Sequence, residues 1–130
     1  MARRVGALAV SAAMVIGMAS LALASGALDG KTFTGTMGKK GETQGKADDF
    51  VFQDGAFEST LCTTFGYGTG AYTAEPAGDA VEFTAETTNQ DGGTMQWQGL
   101  VKGDAIEGTA VSMENGHVSE SWFRGTLKAQ

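Results

Sequence analysis

The chain is poor in the residues that staple or catalyse. It has one cysteine, Cys62, and a disulfide framework needs pairs. It has one histidine, His117, which cannot alone make a His-based zinc or His₂Cys copper site. As sole imidazole base, His117 also lacks identifiable partners for a nucleophile, base and orienting group. No phosphate loop, EF-hand or metal-spaced cysteine cluster is present. Basic residues are few, nine against fifteen acidic, which argues against nucleic acid and anionic membrane surfaces as partners. After residue 24 no stretch carries an apolar stripe of helical period, so helix content is expected to be small. These absences point away from an enzyme and from any bound cofactor, and toward a binding or structural module.

The first 24 residues read differently from the rest. Arg3 and Arg4 precede an apolar run over 5–23, and Ala22-Leu23-Ala24 makes a small-x-small cleavage site before Ser25. This is the pattern of a signal peptide, so the protein is expected to be exported, to the periplasm or beyond. An uncleaved anchor is the alternative, since about 20 apolar residues can just span a bilayer. The run is mostly Ala, Gly, Ser and Val, which favours cleavage. Contact with membrane is expected only through this segment. Residues 25–130 then form one domain, large enough to be stable without staples. Once Arg3 and Arg4 are removed, seven basic residues face fifteen acidic ones. Lys31, Lys39, Lys40 and Lys46 lie near the start of that domain and the remainder is strongly acidic.

What is abundant is period-two alternation. Residues 31–37 place Phe33, Gly35 and Met37 on one face, and 38–47, rich in Gly and Lys, reads as a mobile loop. Residues 48–53 present Phe50 and Phe52, Asp54-Gly55 is a two-residue hairpin turn, and 56–61 present Phe57, Ser59 and Leu61. A Gly-rich loop over 62–70 carries Phe65 and Tyr67. Further strands are expected over 71–75, 80–87 and 95–101, then from about 105 to 113, and over 119–128. Turns over 76–79, 89–93, 102–104 and 114–117 separate them. Eight short strands joined mostly by tight turns favour an all-β, eight-stranded antiparallel up-and-down barrel, with an open β-sandwich as the alternative.

Two echoes run through the pattern. Residues 78–85 and 103–110 match at six of eight positions at a spacing of 25, with Tyr72 and Trp97 at equal offsets before them. That predicts two hairpins built alike. An aromatic-x-Gly-x-aliphatic motif also recurs, at Phe33-x-Gly35-x-Met37, Trp97-x-Gly99-x-Val101 and Phe123-x-Gly125-x-Leu127. Each Gly leaves a hole beside an inward ring. Either neighbouring rings fill the holes while the strand coils, or the holes open a cavity.

The layout resembles the calycin-type barrels, the lipocalin and avidin-like proteins, on an exported eight-strand meander and a first-strand Asp29-Gly30-Lys31-Thr32-Phe33. Where lipocalins carry Gly-x-Trp, Gly30 is followed by Lys-Thr-Phe. In such barrels a basic residue of the last strand, here Arg124, often covers the first-strand aromatic. The chain is also similar to small secreted bacterial proteins of uncharacterised function that share three features: a Phe-x-Asp-Gly-x-Phe hairpin, a Cys followed by a Gly-aromatic loop, and a closing Trp-Phe-x-Gly-x-Leu strand. The resemblance implies fold more than activity; the pattern of inward rings beside glycines points to a small apolar or aromatic ligand held by the barrel interior and mouth. Candidate binding residues are Phe33, Phe52, Phe57, Phe65, Tyr67, Tyr72, Trp97 and Phe123. The barrel is expected to be a monomer or weak dimer; the alternative is a filled barrel whose outer surface meets an envelope protein. Cys62 reads as a semi-buried small hydrophobe, with an intermolecular disulfide or a reactive or metal-binding thiol as alternatives. A soft Cu(I) site from Met113, His117 and a third ligand is also conceivable.

Overall fold

Four two-residue turns set the register of the sheet. Asp54-Gly55 and Asn115-Gly116 hold both residues at positive φ (54° and 75°, 55° and 77°). Tight hairpins need this so that the turn matches the right-handed twist of its strands. Gly78-Asp79 and Gly103-Asp104 use a left-handed glycine first (66° and 58°). The computed structural model describes residues 26–129. The expected export segment, 1–24, lies outside the described residues.

The strands are β1 (Thr32–Lys39), β2 (Lys46–Gln53), β3 (Ala56–Ser59), β4 (Gly70–Ala77), β5 (Ala80–Thr88), β6 (Thr94–Lys102), β7 (Ala105–Glu114) and β8 (His117–Leu127). Each pairs antiparallel with the next, and β8 returns to β1 through Phe33↔Leu127 to Lys39↔Ser121. The sheet is therefore a closed up-and-down barrel, as the alternation predicts. Closure removes the unpaired edges that an open sandwich would leave. The repeated hairpins are built alike: Tyr72 faces Ala85 across β4 and β5, and Trp97 faces Ala110 across β6 and β7.

Local expectations shift in three places. The strand expected over 56–61 stops at Ser59, because the Ser59 side chain accepts from the Cys62 N–H and caps a helical turn, α1 (Thr60–Thr63). The turn expected over 76–79 shrinks to two residues as Pro76 and Ala77 pair with Val81 and Ala80. The loop expected over 38–47 shortens to 40–45, and it is pinned. Trp122 Nε1 donates to the Glu42 carbonyl at 2.9 Å, and the Lys40 N–H donates to the Glu120 carbonyl at 3.0 Å.

Eight rings fill the interior: Phe33, Phe50, Phe52, Phe57, Tyr72, Phe83, Trp97 and Phe123, each at most 4% exposed. They form one connected set with centroids 4.8–6.5 Å apart, mostly edge-on or tilted. Such pairs add about 0.5–1.5 kcal/mol each beyond area burial. The glycine holes are filled. Phe83, Gly99, Gly108 and Phe123 stand in register on four successive strands, and the two rings fold over the two glycines between them. A Cβ on Gly99 would lie 2.6 Å from Phe83 Cε1, and one on Gly108 would lie 2.6 Å from Phe123 Cζ.

The two ends of the barrel differ. At the end where β1 begins, the segment before it folds underneath. Leu28 is 1% exposed, its N–H donates to the Tyr72 hydroxyl, and that hydroxyl donates to Asp29 at 2.7 Å. Asp29 also accepts from the Gly55 N–H. Burial and the Asp29 bond push the Tyr72 phenol up to about 12. The opposite end carries the 40–45 loop, α1 with the loop after it, and the β5–β6 and β7–β8 connections. It forms the mouth.

Candidate functional site

Strand parity and strand direction together decide what lines the mouth. Met37 is the last buried side chain of β1, which runs toward the mouth, and Met95 the first of β6, which runs away from it. Cys62 hangs from α1 between them. The Cys62 Sγ lies 3.9 Å from Met37 Sδ and 3.8 Å from Met95 Sδ. All three residues are 6–9% exposed.

Above them a cavity of about 340 Å³ opens to solvent, lined by the three sulfur residues with Leu61, Phe65 and the 40–45 loop. Lys39 and Lys46 stand at its rim. The pinning of the 40–45 loop by Trp122 therefore gives this cavity a built wall. Gly38 belongs to that wall, because a Cβ there would sit 2.6 Å from the Trp122 ring.

The floor is braced by a buried carboxyl. Asp48, 4% exposed, accepts from Ser59 Oγ at 2.5 Å and from the Leu61 N–H at 3.0 Å, while Ser59 Oγ accepts from the Cys62 N–H at 3.2 Å. The turn that presents Cys62 thus hangs on Asp48 through Ser59. Burial raises the Asp48 pKa, against the lowering effect of these hydrogen bonds. Burial also raises the Cys62 thiol, against the lowering effect of the Ser59 hydrogen bond, and the Asp48 charge raises it further. Tyr67, behind α1, is raised by burial first and by the Glu114 carboxylate second.

The residues expected to bind divide sharply. Phe33, Phe52, Phe57, Tyr72, Trp97 and Phe123 belong to the packed ring set, and the mouth cavity reaches none of them. Tyr67 is buried at 7%, while Phe65 is 65% exposed and lines the cavity. Of the eight, Phe65 alone faces that space. Arg124 does not cover Phe33. It points outward and stacks 4.7 Å over Trp122, two residues away on the same face, whereas Phe33 is sealed inside. Met113 and His117 cannot join in a metal site at the β7–β8 hairpin. Met113 pairs with Val118, whose neighbour His117 points to the opposite face.

Among the described residues no group of three or more His, Cys, Asp or Glu is placed to hold a metal ion. The donors that do converge are sulfurs. The alternation places Met37 on the face of Phe33 and leaves Cys62 as a lone candidate thiol, with nothing local to join them to Met95. A signal was available: all three sit at mouth-side ends once alternate strands are given opposite directions. Leu61 and Asp48 were also missed as wall and brace. The outer surface carries a shallow groove of about 420 Å³ across β4 to β7, lined by Thr73, Thr84, Gln96, Gln98 and Thr109. Comparison of the chain with protein-family models, with curated proteins and with solved structures returns no match.

Proposed function

We propose that this is an exported binding protein of calycin-like layout that holds a small apolar or aromatic ligand in the mouth of its barrel and catalyses no reaction. The observation that carries the reading is the contrast between a ring-filled interior and a mouth cavity of about 340 Å³ walled by Leu61, Phe65 and the pinned 40–45 loop. That volume is at the lower end for small-molecule sites, which are concave and mostly apolar with a few polar groups at the edge. Lys39 and Lys46, set against the one carboxylate of Glu42, would favour ligands with an acidic head group. The N-terminal signal pattern supports delivery outside the cytoplasm.

The test is a panel of lipophiles followed by thermal shift and native mass spectrometry. A ligand at a hundred times its Kd stabilises by about 2.7 kcal/mol, a shift of roughly 10–20 °C for a domain of this size. Phe65→Ser and Leu61→Asn, at accessible positions, abolish the shift, and Phe33→Leu in the core does not. Absence of both bound mass and stabilisation across the panel refutes the reading.

A second reading has its own observation. The outer groove across β4 to β7 is lined by uncharged polar side chains interleaved with apolar ones and a single carboxylate, Glu86, on a chain otherwise strongly acidic. A filled barrel presenting that face would meet an envelope protein. A photo-crosslinker at Gln98 that yields no specific adduct in intact cells counts against it.

A further inference from the structure

We propose that Cys62, Met37 and Met95 form an all-sulfur site for a soft monovalent d¹⁰ ion, Cu(I) above all, at the inner end of the mouth cavity. The inference goes beyond the apolar-ligand reading and stands apart from it, since it rests on the convergence of three sulfurs and not on the outer wall.

The geometry comes first. A thiolate and two thioethers around one ion in a plane, with metal–sulfur bonds of about 2.3 Å, the length known for zinc thiolates, put the sulfurs about 4.0 Å apart. The Cys62 Sγ stands 3.9 Å and 3.8 Å from the two methionine sulfurs. Two of the three sulfur–sulfur edges thus already have the length a trigonal site needs, and methionine's unbranched chain allows the third to adjust.

Ligand chemistry then selects the ion. Thiolate and thioether donors favour Cu(I). Zinc draws on thiolate, imidazole and carboxylate. Of the carboxylates near the site, Asp48 is engaged by Ser59, Thr60 and the Leu61 N–H and Glu42 stands exposed on the cavity's outer wall, while His117 lies exposed at the β7–β8 hairpin. On binding, the Cys62 S–H bond breaks, its proton passes to solvent and a sulfur–metal bond forms. No electron is transferred. The resulting thiolate neutralises the ion, which suits a pocket floored by three buried residues.

Support and access complete the case. Cys62 is fixed by its capped turn, while Met37 and Met95 project from two strands that are not neighbours in the sheet. The three therefore meet only because the barrel closes. The same cavity that admits an apolar compound leads from solvent to all three residues.

The experiment uses the purified full chain under anaerobic, reducing conditions. Ag(I), which is redox-inert, is titrated with native mass spectrometry as the readout. Cu(I) is then measured by competition against a chromophoric chelator, and the loaded protein is examined by X-ray absorption. The expected result is one ion per chain with three sulfur neighbours at about 2.3 Å. Met37→Leu and Met95→Leu, which nearly conserve volume, each weaken binding tenfold or more while circular dichroism and melting stay close to the parent. Cys62→Ala removes binding. Failure to take up one ion overturns the inference, and so does uptake that needs Cys62 but ignores both methionine substitutions, since that describes a thiol acting alone. Lipophile stabilisation of the same preparation without metal uptake overturns this inference and leaves the apolar-ligand reading standing. Metal uptake without lipophile binding does the reverse.

Discussion

Gly99→Ala tests directly whether the barrel is full. The added methyl would lie 2.6 Å from Phe83 Cε1 and 2.9 Å from Phe123 Cζ, with the Glu107 carbonyl also at 2.9 Å. Carbon atoms rest about 3.5–4.0 Å apart, so the Phe83 ring must retreat by roughly 1 Å into a space already held by Phe52 and Phe57. Overpacking of this kind costs about 1–3 kcal/mol. For a domain of about 100 residues, each kcal/mol lowers Tm by about 4–8 °C. Urea denaturation followed by circular dichroism gives the value. The decisive comparison is a double-mutant cycle with Phe83→Leu. The smaller side chain yields the room the methyl needs, so the pair should couple favourably by about 1 kcal/mol or more. If Gly99→Ala changes stability by less than about 0.5 kcal/mol, the hole beside Phe83 is empty. The interior would then regain its claim as the ligand site.

Two further outcomes follow from the buried polar groups. Tyr72→Phe strands the Leu28 N–H and removes a hydrogen bond to Asp29, and it should cost about 1–3 kcal/mol; in the parent, one tyrosine should resist ionisation by absorbance until near pH 12, and an ordinary titration near 10 for both tyrosines would refute the buried bridge. Asp48 has a raised pKa in the folded state, above its ordinary 3.8, so the folded protein holds that proton more tightly than the unfolded chain. Its contribution to stability therefore declines as pH rises from about 4 through the raised value, and above that the full cost of the buried charge applies. Asp48→Asn removes this slope. Urea midpoints should show the variant gaining on the parent between about pH 4 and pH 8, and a constant difference would count against a buried, desolvated carboxyl.

The mouth explains why the fold was easier to read than the site. The expected strands and turns each depended on neighbours in sequence. The cavity depends on a wall, the 40–45 loop, held by Trp122 from eighty residues away. The Gly-rich, Lys-rich composition of that loop carries no trace of the hydrogen bond that pins it. Arg124 shows the same limit in reverse. Alternation already places Arg124 on the outward face of the last strand with Trp122, but the expectation that it covers Phe33 came from the resemblance, and Phe33 is sealed inside. The outward neighbour two residues away took it.

Period-two alternation and the positive φ that Asp-Gly and Asn-Gly turns require are local properties of the chain, and they settle the class of fold, the eight strands and most of the tight turns. The tertiary structure alone decided that the glycine holes are filled and that three sulfurs meet at one end. A hole beside Gly99 is empty or full according to where Phe83 and Phe123 arrive from neighbouring strands, and Cys62 finds Met37 and Met95 only when the last strand returns to the first. Alternation states which way a side chain points; only closure states what it meets.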